Sequence, residues 1–339
     1  MVRKAPGPLT RDPADIAVII PAFNSASYID QALASLACQT LRPRAVVVAD
    51  DCSTDDTAGR ARGWSGRLPL EVVQLDRNQG PGVARDRAIS ASRSPFLAML
   101  DADDFFLPDH LETMAGAYAA SPGLVSAQEL SWHPGKGLDF PSQPRRLSRR
   151  ANHLIPLLRS NFVNFGFFAR ELYESVGGFS DLYYCEDWDL WIRMLRSGAN
   201  LTVGSHPTAV HRVHPHSLSF DAARIAEHGM AYLETAVRAA RSPAEAAAAR
   251  AGIHTLRGKL SFYQAMELAA QGDVRRARQV ARAAFPARGV RSSAGLLAMA
   301  IAPGSAVRLE QLTRRYRIPE GGYAPASTGA TTDRPADGE

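Results

Sequence analysis

The chain has 339 residues, 45% of them hydrophobic and 22% charged, and carries a formal net charge of +5. That balance excludes disorder over most of the length and supports one or two domains of about 100–200 residues each. The mild positive excess suits an anionic substrate or membrane surface, and no nucleic-acid-binding signature accompanies it. Cys38, Cys52 and Cys185 are far apart and form no C-x-x-C pair, which argues against a disulfide framework or a zinc site.

The segment 1–15 carries Arg3, Lys4, Arg11 and several prolines but no apolar core, and is expected to be flexible. Ile16 to Ile20 is a branched apolar run that breaks at Pro21-Ala22-Phe23-Asn24, as a buried strand entering a loop does. Ile29, Leu33, Leu36 and Ala37 then recur at helical spacing between Ser27 and Gln39, with Ser25 or Ser27 as N-cap. A second strand, Ala45 to Ala49, runs into Asp50-Asp51, and Ser53 or Thr54 is placed to cap the helix that follows. Leu70 to Leu75 is a third strand, Asn78 to Gly82 a loop, and Val83 to Ser92 a helix. Phe96 to Leu100 is a fourth strand, and it ends in Asp101-Ala102-Asp103-Asp104.

Four alternations of strand and helix with short connections predict a mostly parallel α/β sheet flanked by helices. Ligands of such sheets bind beyond the carboxyl ends of the strands, which is where Phe23, Asn24, Asp50, Asp51 and the 101–104 acids fall. Crowded acids at one strand tip are costly without a cation among them, and Asp oxygens suit Mg²⁺ or Mn²⁺. A solvated acidic turn ahead of a helix starting at Pro108-Asp109 explains the same residues.

Beyond Gly123, a strand at Leu124 to Ala127 gives way to a loop rich in Pro and Gly and made basic by Arg145, Arg146, Arg149 and Arg150. Asn164 to Ala169 reads as a strand, Gly177-Gly178 as a turn, and Glu186 to Ser197 as an amphipathic helix. His211-Arg212-Val213-His214-Pro215-His216 admits phosphate contact, metal ligation or a plain solvated loop. From about residue 220 the chain becomes Ala- and Arg-rich helix, and 319–339 lacks any periodicity and is expected to be disordered. No stretch approaches 18 apolar residues, so a cytoplasmic protein is expected, with peripheral contact at an anionic membrane face as a further option.

The motifs Ile19-Ile20-Pro21-Ala22-Phe23-Asn24, Asp50-Asp51-Cys52-Ser53, Asn78-Gln79-Gly80 with Ala84-Arg85-Asp86, Asp101-Ala102-Asp103 and Glu186-Asp187-Trp188 together resemble those of family 2 glycosyltransferases of the GT-A fold. Their order and spacing agree over residues 16–219. Phe23 stands where tyrosine is usual, Cys52 where glycine or asparagine is, and Asp86 where asparagine is common.

The resemblance implies an inverting enzyme that moves a sugar from a nucleotide-diphosphate donor, UDP or dTDP-linked, to an acceptor hydroxyl. The acceptor would be a carbohydrate, a lipid-linked sugar or a small molecule. Pro21, Phe23, Asn24, Asp51, Asn78, Arg85, Asp101 and Arg212 would bind the nucleotide sugar. Asp103, with Asp101 and His214, would hold Mn²⁺ or Mg²⁺, which stabilises charge on the leaving nucleotide. Asp187, paired with Glu186, would be the general base. The domains implied are a flexible 1–15, a catalytic 16–219, a helical 220–318 and a tail. Taken singly, Phe23 also fits a core aromatic, Asp51 an Asx-turn, Arg85 a surface cation and Asp187 a helix cap. An inactive scaffold of the same fold is the rival reading, as is another metal-dependent nucleotide-binding transferase. Neither a Walker loop nor a Gly-x-Gly-x-x-Gly turn follows any strand.

Overall fold

The computed structural model describes residues 15–133, 137–139, 153–214, 217 and 221–284. Residues 1–14 of the segment expected to be flexible, residues 145–150 of the expected basic loop, His216 and everything after residue 284 lie outside the described residues. Two compact units divide the chain at residue 253.

In the first unit, strand and helix alternate as the sequence predicts. β1 (Ile16–Ala22), α1 (Ile29–Ala37), β2 (Ala45–Asp50), α2 (Thr57–Arg62), β3 (Leu70–Gln74), α3 (Pro81–Ala91) and β4 (Phe96–Met99) follow one another. β1 is central: Ile19 lies opposite Val47 of β2 on one side and Met99 of β4 on the other, both in parallel register. β3 extends the parallel group through Val48 and Val72. The inner strands are buried on both faces, which is why they read as unbroken Val, Ile and Ala rather than as alternation. α1 covers one face through Ile29, Ala32, Leu33 and Leu36, each fully buried and each contributing about 1.5–3 kcal/mol for the larger side chains.

The α1 and α2 starts differ from the predicted caps. Tyr28 and Asp56 occupy the N-cap positions without side-chain hydrogen bonds, while the Ser25 carbonyl accepts from Tyr28 and Ile29, and Asp55 accepts from the Thr57 N–H.

The remaining elements are β5 (Phe105–Phe106), α4 (His110–Ala120), β6 (Gly123–His133), β7 (Gly137–Asp139), α5 (Leu154–Arg159), β8 (Phe167–Ala169), α6 (Arg170–Ser175), α7 (Glu186–Arg196), β9 (Asn200–Arg212) and α8 (Ala222–Arg238). The sheet runs β3-β2-β1-β4-β8-β6-β9-β5, with β7 on β6. β8 pairs antiparallel to β4 and β6, and β5 antiparallel to β9, so the antiparallel members of the mostly parallel sheet that the sequence predicts lie in this half. β6 continues to His133, where a loop is expected from Gln128 onward, because β9 supplies its edge as far as Trp132 opposite Arg212. The predicted loop at His211-Arg212 is accordingly the end of β9.

These pairings position the site. β5 and β9, with Phe105 opposite Val210, bring Asp103 and Asp104 beside Arg212. α9 (Pro243–Ala270) begins in the first unit; the second contains its end and α10 (Val274–Ala284), with Ala265, Met266, Ala277 and Ala281 buried. No helix of the described residues is long and apolar enough to cross a membrane.

Candidate active site

The ends of β1 and β2 are laced together by short polar side chains. Asn24, with a left-handed φ of 49°, accepts on Oδ1 from the Thr54 N–H at 2.8 Å and donates its own N–H to Ser53 Oγ at 2.9 Å. Asparagine tolerates that conformation better than other non-glycine residues. Pro21 sits in β1 opposite Ala49, and Phe23 beside it is 46% exposed, outside the core cluster. An aromatic left in solvent at a strand end is available to a ligand rather than to packing.

Asp51 is buried and accepts from two backbone donors, Gln79 N at 2.8 Å and Gly80 N at 2.7 Å. Burial pushes its carboxyl above the usual range, and the two N–H groups pull it back. It fixes the 78–80 loop, leaving Asn78 exposed. Asp50, fully buried, accepts from Gln74 Nε2 at 3.2 Å through Oδ2, while Oδ1 has no partner.

Arg85, on α3, is the hub. Its Nη2 meets Asp101 Oδ1 and its Nη1 meets Glu186 Oε1, both at 2.6 Å, and the Phe179 ring lies 5.7 Å below the guanidinium. Three segments far apart in sequence thereby converge. Burial raises Glu186 to about 7, against the pull of Arg85, with Asp187 adding to the rise. Asp187 is also raised by burial, opposed by Arg85 and by hydrogen bonds to both oxygens: Trp188 N at 2.6 Å on Oδ1 and Asn161 Nδ2 at 3.0 Å on Oδ2.

On the far side, Asp103 Oδ2 lies 2.8 Å from His214 Nε2. His214 is buried and stacks on Tyr28 with ring centroids 4.4 Å apart. Asp104 is buried behind them, accepting from the Arg212 N–H at 2.7 Å and facing His211 Nδ1 at 3.2 Å. Burial lifts Asp104 to about 6, and His211 is held at about 9 by that carboxylate despite its own burial. Arg212 is itself buried. Its Nε donates to the Asp103 carbonyl at 2.8 Å, its Nη2 to Gln31 Oε1 at 2.6 Å, and Tyr28, Phe105 and Trp132 surround its guanidinium at 5.0–5.7 Å.

The structure therefore gathers Arg85, Asp101, Glu186 and Asp187 in one cluster, and Asp103, His214 and Arg212 in another. Among the described residues no three His, Cys, Asp or Glu side chains form a ready metal cage. A carboxylate beside an imidazole nevertheless fits a cation that completes its shell with substrate oxygens, as Mg²⁺ and Mn²⁺ sites do.

Two residues escaped the sequence reading. Asn161 has no motif around it, only the backbone that delivers it to Asp187. Tyr183 is 45% exposed and lies over Gly80, where an added Cβ would come within 2.8 Å of its ring. The tyrosine pair Tyr183-Tyr184, separated from Glu186-Asp187 by Cys185 alone, was the signal available for it.

Comparison with known proteins gives this arrangement its context. Residues 17–176 match the family described as "Glycosyl transferase family 2". The succinoglycan biosynthesis protein ExoU of Rhizobium meliloti is 33% identical over 215 residues, 56% of this chain, and the chain spans only 60% of that relative's length. In three dimensions the chain resembles residues 1–349 of TarS from S. aureus, solved with UDP-GlcNAc, at TM-score 0.57 and 18% identity over 89% of this chain and 92% of that one. The mannosyltransferase PcManGT of Pyrobaculum calidifontis, solved with GDP-Man and Mn²⁺, aligns at TM-score 0.58 and 22% identity over 92% and 88%. Both share the GT-A fold seen here. Residues 17–176 thus resemble the family 2 glycosyltransferases, and the chain shares the GT-A fold of these neighbours.

Proposed function

We propose that this protein transfers a sugar from a nucleotide-diphosphate donor, UDP or dTDP-linked, to a carbohydrate hydroxyl, inverting the anomeric centre. The observation that carries the reading is the convergence of Arg85, Asp101, Glu186 and Asp187 at the strand ends, one cation among three carboxylates.

In this reading Asp187 is the base. Single displacement at an anomeric carbon requires the acceptor hydroxyl to lose its proton on the face opposite the leaving nucleotide. An aspartate whose oxygens both accept hydrogen bonds is kept ionised for that task, and burial raises its basicity. Glu186 holds Arg85 rather than a proton of the substrate. Arg85 in turn orients Asp101 and places positive charge beside the donor. Phe23 offers a face to the base or ribose, and Asp51 shapes the loop against which the nucleotide lies. Asp103 and His214 would hold the divalent cation. When bound, that cation supplies a Lewis acid that stabilises the departing diphosphate.

The name of ExoU, a succinoglycan biosynthesis protein, favours a saccharide acceptor from envelope polysaccharide assembly. Exposed Arg275, Arg276 and Arg282 on α10 would favour contact with an anionic membrane face, where lipid-linked acceptors reside. A panel of nucleotide sugars assayed for nucleotide release with Mn²⁺ tests the reading. Release from at least one donor is expected, and neither turnover nor nucleotide binding with any member would refute it.

A further inference from the structure

Asn161 lies in the segment between α5 and β8, which no motif covers. We infer that Asn161 is a positioning residue that orients the Asp187 carboxylate through a one-way hydrogen bond and so sets its working geometry as base. This rests on the reading of Asp187 given above.

The direction of the bond is fixed by geometry. Asn161 Oδ1 accepts from the Val163 N–H at 3.3 Å, so its Nδ2 is the end that faces Asp187 Oδ2, at 3.0 Å. A flipped amide would set N–H against N–H and oxygen against oxygen at once. The segment is itself anchored, because the Trp188 indole donates to the Leu157 carbonyl at 2.8 Å and ties the end of α5 to α7. With the Trp188 N–H on Oδ1, both carboxylate oxygens have one fixed donor each. The acceptor proton has to arrive at a remaining lone pair, whose direction these two donors define.

The chemistry of the donor matters too. The charged or titratable groups facing Asp187 are Arg85 from α3, Asp101 from the end of β4, and Glu186 and Cys185 at the start of α7. Arg85 already supplies the cation. A second cation at residue 161 would hold the carboxylate equally well but lower its basicity further. A neutral amide orients it and costs less of that basicity.

The test uses protein labelled with ¹³C at aspartate carboxyls and followed by infrared titration, with the Asp187 band assigned by its loss in Asp187→Asn. In Asn161→Ala and Asn161→Ser the Asp187 proton affinity is expected to rise about tenfold, since a hydrogen bond to a charged group is lost. Asn161→Ser is uncharged and shorter but keeps an oxygen for the Val163 N–H, so it carries the test if the alanine variant does not fold. The acidic limb of the kcat profile is expected to move upward by the same amount, with the KM for the donor within about twofold. An unchanged Asp187 midpoint in the variants overturns the inference. A shifted midpoint in a protein that turns over no nucleotide sugar leaves Asn161 as the residue that orients Asp187 and refutes the transferase reading instead.

Discussion

Arg85 holds Asp101 and Glu186 at 2.6 Å each, and so ties the end of β4 to the start of α7 through one guanidinium. Its partners differ: Glu186 is 8% exposed at the side chain and Asp101 47%. The Glu186 contact is therefore the one that bears on stability. Glu186 titrates near 7 in the folded state, above the ordinary value of 4.5, so its contribution is fully present below pH 4.5 and is lost as pH rises through about 7. Arg85→Ala removes the cation that limits this loss. The variant is expected to be destabilised by about 3 kcal/mol at pH 8 and by much less at pH 5, where Glu186 is neutral. Urea titrations at the two pH values measure the difference, and Glu186→Gln in the same background should abolish it.

Gly80 is the second sharp point. Its φ of 89° and ψ of 166° lie in a region open only to glycine, and an added Cβ would come within 2.8 Å of Tyr183. Gly80→Ala is expected to cost about 1–3 kcal/mol and to weaken donor binding, because its N–H is one of the two that fix Asp51. Combining it with Tyr183→Ala should restore only the steric part. Thermal denaturation of the single and double variants reads both effects, and full recovery in the double variant would mean the backbone carries no strain.

Legibility in the sequence tracked the range of the interactions. β1 to β4 and their loops were readable because each buried strand is a contiguous apolar run and each acid falls at its end. The mixed half was legible only in part: the start of β6 and β8 read as strands, and β9 did not. β9 is interrupted by His206-Pro207 and carries polar residues to Arg212, and only its pairing with β6 and β5 makes it a strand. For the same reason the sequence offered Arg212 as a phosphate ligand, whereas the fold buries its guanidinium among Tyr28, Phe105 and Trp132 with protein acceptors on Nε and Nη2. The cluster of Arg85, Asp101, Glu186 and Asp187 was named residue by residue, but its ion pairs join positions 16 and 101 residues apart and no local pattern encodes them.

Arg212 yields a prediction of its own. Lysine cannot reproduce a planar fork that bonds the Asp103 carbonyl and Gln31 while stacking among three rings. Arg212→Lys is expected to loosen the Asp103 segment, raising the Mn²⁺ concentration needed for half-maximal nucleotide binding by about tenfold and lowering stability by about 1–2 kcal/mol. Calorimetric titration of nucleotide at several Mn²⁺ concentrations checks it.

His110 gives the pH dependence of the fold away from the site. It is fully buried, faces Thr208 Oγ1 at 2.9 Å through Nδ1, stacks on Phe106 at 3.5 Å, and leaves Nε2 without a partner. Burial depresses its pKa to about 3. Its folded value lies below the unfolded 6.5, so its contribution is complete above pH 6.5 and declines as pH falls toward 3. Each proton taken up on unfolding in that window is worth about 1.4 kcal/mol per pH unit. His110→Phe should flatten the stability slope between pH 4 and 6 by up to one proton, as read from urea midpoints, and an unchanged slope would show that His110 does not titrate on unfolding.

The account rests most heavily on Asp187 as the base, distinct from the residues that hold the donor. Asp187→Asn keeps the shape and one acceptor oxygen while removing the charge. Single-turnover assays with the best donor, alongside calorimetric binding of the nucleotide, are expected to show a loss of about 10³-fold in rate with donor affinity within about twofold of wild type. A variant that keeps more than a tenth of the rate, or that loses nucleotide binding in step with activity, would contradict it.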